Sequence, residues 1–132
     1  MNLDLAYDEL LPHSVESVWQ ALTDADVIAD WLMVTQGFRP QVGTRFRMKT
    51  QRLSADGWVD AEVLELDPPH RMVWAWSVDD DALSTTVTFE LTAQGDATRL
   101  KLTHVGEIDP LVGGLLRDGW PGRIELLRRS LD

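Results

Sequence analysis

The chain has 132 residues, of which 44% are hydrophobic and 26% are charged, and this composition predicts one globular domain over residues 1–132. Its formal net charge of -10 argues against nucleic acid and anionic membranes as partners, because both are bound by basic surfaces. The absence of cysteine excludes disulfides and thiolate metal sites. The N-terminus resembles no signal peptide and no apolar run is long enough to span a bilayer, so we expect a soluble, cytoplasmic protein.

The N-terminal part of the chain predicts a strand followed by two short helices. Residues 2–10 alternate apolar and polar side chains, which is typical of a strand. Ser14 is suited to cap the first helix, and Glu16 places negative charge in its first turn. Asp24 or Asp26 can cap the second helix. The apolar residues at helical spacing are Val15, Val18, Trp19, Leu22, Val27, Ile28, Trp31 and Leu32.

The middle of the chain predicts a run of antiparallel strands. Apolar and polar residues alternate cleanly along residues 45–51, 84–93 and 98–105, which indicates a sheet with one buried and one solvated face. Turn or break sequences separate the strands at 54–57, 67–69, 79–82 and 94–97.

The strand predicted over 58–67 changes its apolar parity between Val63 and Leu64. A β-bulge at this point would keep the apolar residues of both halves facing inward. We therefore expect Asp60 and Glu62 to face water. In the alternative, both carboxylates point into the interior, where acid–base chemistry would become possible.

Residues 108–131 carry an apolar helical stripe that is interrupted by the sequence GWPG at 119–122. Because proline fits a first turn but breaks or kinks a helix interior, the helix either starts near Trp120 or bends there. The element order is one strand, two helices, five strands and one helix. It predicts an α+β fold in which a curved antiparallel sheet of about six strands wraps around a long C-terminal helix. A gap between sheet and helix would accommodate a ligand.

Several fragments of the chain resemble the family named for the activator of heat-shock-protein-90 ATPase, in its bacterial, single-domain form. This family belongs to the START superfamily, whose best-known member is the major birch pollen allergen. Besides the lone Gly43 before FRM, the matching fragments are VWQALTDADVIADW at 18–31, GWVDAEVLELDPPHRMVWAW at 57–76, TFELT at 88–92, TRLKLTHVG at 98–106 and GW at 119–120.

The resemblance implies the helix-grip fold and an apolar cavity of the kind that holds lipids, sterols, polyketides or plant hormones in the superfamily. Some members are cyclases or aromatases. The eukaryotic proteins behind the family name carry an extra N-terminal domain, which we expect this chain to lack. Co-chaperone activity is therefore not carried over, and fold does not decide function.

A row of large apolar side chains is predicted on one face of the strand RMVWAWSV. Residues two apart on a strand share a face, so Met72, Trp74 and Trp76 lie side by side. They either stack on a ligand or fill the core against the C-terminal helix. Each buried indole N–H needs an acceptor, and two of them on one face suggest polar atoms or water nearby.

His104 continues the apolar face of Leu100 and Leu102 at the end of its strand. An inward imidazole could donate a hydrogen bond to a ligand or act as a general base. The alternative is a histidine that bonds to backbone at the strand end.

The leading hypothesis is a binding protein that holds an apolar or aromatic small molecule between sheet and helix, with no cofactor and no metal. One alternative is a cyclase or hydrolase that uses His104 as acid or base with a carboxylate partner. Another is a protein-interaction or chaperone-regulator module, and a homodimer is compatible with all three. The predicted ligand-binding residues are Trp31, Met72, Trp74, Trp76, Phe89, Leu102, His104 and Trp120.

Overall fold

The computed structural model describes residues 1–79 and 83–132. Within these residues, seven strands form one antiparallel sheet in the order β1-β7-β6-β5-β4-β3-β2. The strands are β1 Asn2–Leu11, β2 Thr35–Gln36, β3 Arg45–Lys49, β4 Trp58–Asp67, β5 Arg71–Val78, β6 Thr85–Gln94 and β7 Ala97–Glu107. The helices are α1 Val15–Thr23, α2 Ala25–Trp31 and α3 Pro110–Leu131.

This arrangement confirms the predicted helix-grip fold, with a curved sheet, two short helices after the first strand and one long C-terminal helix. The additional strand relative to the sequence prediction is β2, which contains two residues and lies at the sheet edge beside β3. An element this short carries no alternation that sequence analysis could detect.

The caps of the two short helices follow the sequence pattern. The Ser14 hydroxyl accepts a hydrogen bond from the backbone N–H of Ser17 at 3.2 Å, which confirms Ser14 as the N-cap of α1. Of the two candidates for α2, Asp24 is the cap, and its carboxylate accepts from the Asp26 N–H at 2.9 Å. Each cap satisfies a backbone donor that the helix itself leaves unpaired.

Helix α3 starts well before Trp120, which excludes one of the two predicted alternatives. It begins at Pro110, capped by the carboxylate of Asp109, so a start near Trp120 is wrong. Pro121 lies inside the helix and cannot donate to the carbonyl of Arg117. Packing of the helix on the rest of the molecule compensates for this loss, through the buried side chains of Leu116, Trp120, Ile124 and Leu127.

The predicted bulge in β4 is present, because its register with β5 shifts between Val63 and Glu65, but Leu64 is exposed rather than turned inward as predicted. Before the bulge, the buried residues of β4 are Val59, Ala61 and Val63. Asp60 and Glu62 therefore lie on the outer face of the sheet, as predicted. Each pairs with an arginine of β3, at 3.1 and 3.2 Å.

The turn predicted at 79–82 lies outside the described residues except for Asp79. This residue has φ 55°, in the left-handed region. Its carboxylate accepts hydrogen bonds from the backbone N–H groups of Ala55 and Asp56, at 2.8 and 3.1 Å. The end of β5 is thereby tied to the turn at 54–57.

Candidate ligand-binding site

A cavity of about 570 Å³ lies between α2, the segment after β3, β5 and α3. This volume is in the range of small-molecule binding sites. Its buried wall residues, which we call the floor, are Leu32, Met33, Trp76, Leu116 and Trp120. Its exposed wall residues, which we call the rim, are Val34, Lys49, Gln51, Arg52, Gly119 and Arg123. The half-buried wall residues are Ala29, Thr50, Leu53 and Leu115.

Sheet and helix meet at the floor through two tryptophans. Trp76 points inward from β5, and Trp120 points inward from α3, with ring centroids 5.9 Å apart. Both rings also border the cavity. Trp76 therefore touches the helix and faces a gap at the same time, which combines the two alternatives for the tryptophan row.

His104 is fully buried behind this pair and joins a chain of hydrogen bonds. Trp120 Nε1 donates to His104 Nδ1 at 3.0 Å, and His104 Nε2 lies 2.7 Å from Thr85 Oγ1. Because an indole N–H can only donate, Nδ1 is the acceptor and the neutral ring carries its proton on Nε2. That proton is donated to Thr85, whose hydroxyl donates to the Trp76 carbonyl at 3.1 Å.

Burial lowers the pKa of His104 to about 3, so the ring is neutral at physiological pH. Its two nitrogens bond to the side chains of Thr85 and Trp120 rather than to backbone at the strand end. No carboxylate is among its hydrogen-bond partners in residues 1–79 and 83–132. Neither nitrogen is free to exchange a proton with a substrate.

The buried tryptophans differ in whether their indole N–H is paired. Trp31 Nε1 donates to the Ala21 carbonyl at 3.0 Å, and Trp120 donates to His104. Trp74 and Trp76 leave their buried N–H groups without a partner among the described residues. An unpaired buried donor costs about 1–3 kcal/mol. We expected polar atoms beside these two indoles, but the described residues provide no hydrogen-bond acceptor for either of them.

Trp74 lies in a part of the interior that is filled by aromatic rings. Its ring centroid is 4.9 Å from Phe89, 5.2 Å from Phe46 and 6.0 Å from Phe38, at steep interplanar angles. Trp31 adds an edge-to-face contact with Phe89 at 6.3 Å. We call these five residues the aromatic cluster. Such contacts stabilise the interior beyond simple burial.

Of the predicted ligand-binding residues, the structure brings Trp76 and Trp120 together at the cavity. The others are fully buried and do not line it, because rings, strands and helices fill the interior around them. A ligand contact from any of them stays a prediction. These residues are Trp31, Met72, Trp74, Phe89, Leu102 and His104.

Most of the cavity wall lies at residues that were not predicted to bind a ligand. On α3, Leu115, Gly119 and Arg123 recur every four residues, and Leu116 and Trp120 form the adjacent stripe. Residues four apart share a helix face, so this spacing could have predicted the wall that α3 provides. The segment 49–53 carries no comparable periodicity.

Two further observations bear on the kind of site. Within residues 1–79 and 83–132, no group of three or more His, Cys, Asp or Glu side chains could hold a metal ion. Over the same residues, no helix is both long and apolar enough to cross a membrane.

The fold is similar to several solved structures. Protein MLL2253 from Mesorhizobium loti is 31% identical, with a TM-score of 0.85 over 98% of this chain and 96% of that chain. DynU16, a protein in the dynemicin biosynthetic locus, is 25% identical with a TM-score of 0.81, over 97% of this chain and 46% of that chain. CalU16 from Micromonospora echinospora is 21% identical with a TM-score of 0.81, over 99% and 77%, which shows a shared fold alone. No curated protein gives a significant match.

The family model described as Activator of Hsp90 ATPase homolog 1-like protein matches residues 12–131 of this chain. The matched range runs from the end of β1 to the end of α3. The match confirms the resemblance that the sequence fragments indicated. The chain therefore belongs to the family of Activator of Hsp90 ATPase homolog 1-like proteins.

Proposed function

We propose that this protein binds an apolar or aromatic small molecule in the cavity between β5 and α3. The observation that carries the proposal is a space of about 570 Å³ with Trp76, Leu116 and Trp120 on its buried floor. A ligand that enters this space removes its own apolar surface and that of the half-buried wall residues from water, which is worth roughly 25 cal/mol per Å². Membership of a family whose fold suits ligand binding supports the same proposal.

Trp76 lines the cavity, but its indole N–H is buried out of contact with solvent and has no partner among the described residues. The floor therefore favours a ligand that is apolar where it contacts Trp76.

His104 has a positioning role in this proposal. Its bond from Trp120 Nε1 restrains the indole, and the link through Thr85 reaches the backbone at Trp76. Both floor tryptophans are thus held before a ligand arrives. A preorganised wall loses less conformational entropy on binding and so supports higher affinity.

The hydrogen bonds of His104 argue against the alternative of a cyclase or hydrolase that uses this residue as acid or base. Both ring nitrogens are engaged, and the lowered pKa of His104, about 3, leaves the ring a poor proton acceptor near neutral pH. The most exposed large apolar side chains, Leu111, Val42 and Val34, lie on three different segments. No specific observation favours a protein partner over a small molecule.

A fluorescence titration with N-phenyl-1-naphthylamine, a neutral apolar probe, tests the proposal. Gly119 lies on the rim and Gly122 lies outside the cavity wall, and a Cβ added at either meets no atom within 4 Å. Gly119→Leu and Gly122→Leu are therefore matched variants that should both fold. We expect saturable binding to the wild type and to Gly122→Leu, and at least about tenfold weaker binding to Gly119→Leu, because its side chain enters the cavity.

Circular dichroism of all three proteins serves as the folding control. The proposal fails if the folded wild type does not bind the probe. It also fails if the two leucine variants bind it equally well, since the site would then lie elsewhere.

A further inference from the structure

We infer that the ligand is an amphipathic anion, an apolar or aromatic body that carries a carboxylate held by Arg52 and Arg123 at the rim. This inference rests on the proposed function and names the ligand class of the same site. It combines the charge of the cavity wall, the pairing of the arginines and the path from rim to floor.

The charge of the cavity wall is opposite to that of the whole chain. The chain has 22 acidic and 12 basic residues. Yet the charged residues that line the cavity are Lys49, Arg52 and Arg123, which are all basic. Arg52 and Arg123 are exposed rim residues above an apolar and aromatic floor, whereas the ammonium of Lys49 lies over the Trp58 ring. This distribution is complementary to a ligand with one anionic end.

Arg52 and Arg123 form no ion pair with any described residue. Most other arginines are already neutralised by carboxylates, namely Arg45, Arg47, Arg71, Arg99, Arg117, Arg128 and Arg129. In a chain with an excess of acidic residues, two unpaired arginines at one opening indicate a place for an external anion. Guanidinium groups suit this role because they can bind a carboxylate through two parallel hydrogen bonds.

Lys49 is a weaker candidate for the same role. Its ammonium lies 5.9 Å from the centre of the Trp58 ring, so its charge already has a cation–π partner. Lys49 also alternates with the buried Met48 on β3, which directs its side chain to the outer face of the sheet. The inference therefore assigns the carboxylate to the two arginines.

The path from rim to floor passes Gly119 on α3. Arg123 lies one turn beyond Gly119, whose missing side chain leaves the wall open at that point. Arg52 comes from the segment after β3 and lines the same cavity. An anion held between the two arginines can extend its apolar body past Gly119 towards Trp120 and Trp76.

Displacement of N-phenyl-1-naphthylamine by octanoate or 1-octanol tests the inference, because these competitors share a chain and differ in the headgroup. Exposed ion pairs are weak, so each arginine should contribute about threefold and the pair about tenfold. We expect octanoate to displace the probe at roughly tenfold lower concentration than 1-octanol.

The double variant Arg52→Gln/Arg123→Gln should abolish this preference while 1-octanol displaces the probe as before. The matched control is Arg129→Gln, which removes an exposed arginine of α3 outside the cavity wall and should keep the preference for octanoate.

The other outcomes separate the inference from the proposed function. Equal displacement of the probe by octanoate and 1-octanol overturns the anionic ligand and leaves the apolar site standing. A preference for octanoate that persists in the double variant overturns the role of the two arginines. Failure of the folded wild type to bind the probe overturns both the proposed function and the inference.

Discussion

The two inward tryptophans of β5 occupy contrasting parts of the interior. Trp74 is enclosed by the aromatic cluster, with the ring of Phe89 only 4.9 Å away. Trp76 contacts the rings of His104 and Trp120 and then borders an open cavity. The same residue type, on the same face of the same strand, is thus core at one position and candidate binding floor two residues later.

The difference arises from what covers each tryptophan. Phe38, from the segment between β2 and β3, places its ring against Trp74 and fills the space there. Above Trp76, α3 presents Gly119, where an added Cβ would meet no atom within 4 Å. A cavity therefore remains beside the one wall position of α3 that has no side chain, Gly119.

Truncation of each tryptophan to alanine should show this difference in packing most clearly. Trp74→Ala removes a ring that is surrounded by other rings, so we expect a loss of about 4 kcal/mol in the free energy of unfolding. Trp76→Ala should cost about 2–3 kcal/mol, because its ring packs on two rings rather than three and also borders the cavity. Urea-induced unfolding of both variants measures the difference. Equal losses would mean that Trp76 is as tightly packed as Trp74.

The hydrogen-bond chain behind the cavity can be tested at Thr85. Thr85→Val leaves the His104 Nε2–H without its acceptor, so we expect a loss of about 2 kcal/mol. Thr88→Val is the matched control, because Thr88 lies on β6 without facing His104 and should change stability by less than about 0.5 kcal/mol. Unfolding in urea measures both changes. A Thr85→Val variant as stable as its control would contradict the hydrogen bond between His104 and Thr85.

The buried histidine predicts a specific dependence of stability on pH. Burial lowers the pKa of His104 to about 3 in the folded protein, below its ordinary value of about 6.5. Between these pH values the unfolded chain takes up a proton that the folded protein does not. The stability contribution is therefore fully present above about pH 6.5 and is lost as the pH falls towards about 3.

His104→Gln removes this titration while an amide can still accept from Trp120 and donate to Thr85. Below about pH 6.5, the wild type should lose up to about 1.4 kcal/mol per pH unit more than the variant. Urea unfolding of both proteins between pH 7 and pH 5 makes the comparison. Parallel pH profiles would show that the pKa of His104 is not lowered in the folded protein.

The glycines of α3 should give the smallest effects. Gly122→Ala adds a methyl group that meets no atom within 4 Å and should stabilise the helix by about 0.5–1 kcal/mol. Gly113→Ala should destabilise it, because its Cβ would lie 3.1 Å from Ile108 Cγ2 and 2.9 Å from Met1 Sδ. Thermal unfolding of both variants tests the pair. A stabilising Gly113→Ala would show that the contact around Gly113 relaxes easily.

Local pattern predicted most of the fold. The parity change in β4 located the bulge between Val63 and Glu65, and Ser14 was identified as a helix cap from residue type and position. These features depend on neighbours within a few residues of the chain. The start of α3 was harder to predict, because the sequence around Pro121 favours a break that packing in the folded protein overrides.

The candidate site was less predictable than the fold. Trp74 and Trp76 are equivalent in the local sequence, and only the elements that pack across from them make one of them a cavity wall. The partners of His104 come from β6 and α3, which are separated from it in the chain. Such tertiary contacts leave no periodic signal in the sequence.

The indole signals of the ¹⁵N-labelled protein test the central claim most directly, since each tryptophan gives one Nε1–H cross-peak and Trp→Phe variants assign them. During titration with N-phenyl-1-naphthylamine, we expect the Trp76 and Trp120 peaks to shift as the cavity fills. The Trp74 and Trp31 peaks should stay in place, because their rings belong to the aromatic cluster. A shift at Trp74 with none at Trp76 would contradict the assignment of the cavity as the binding site.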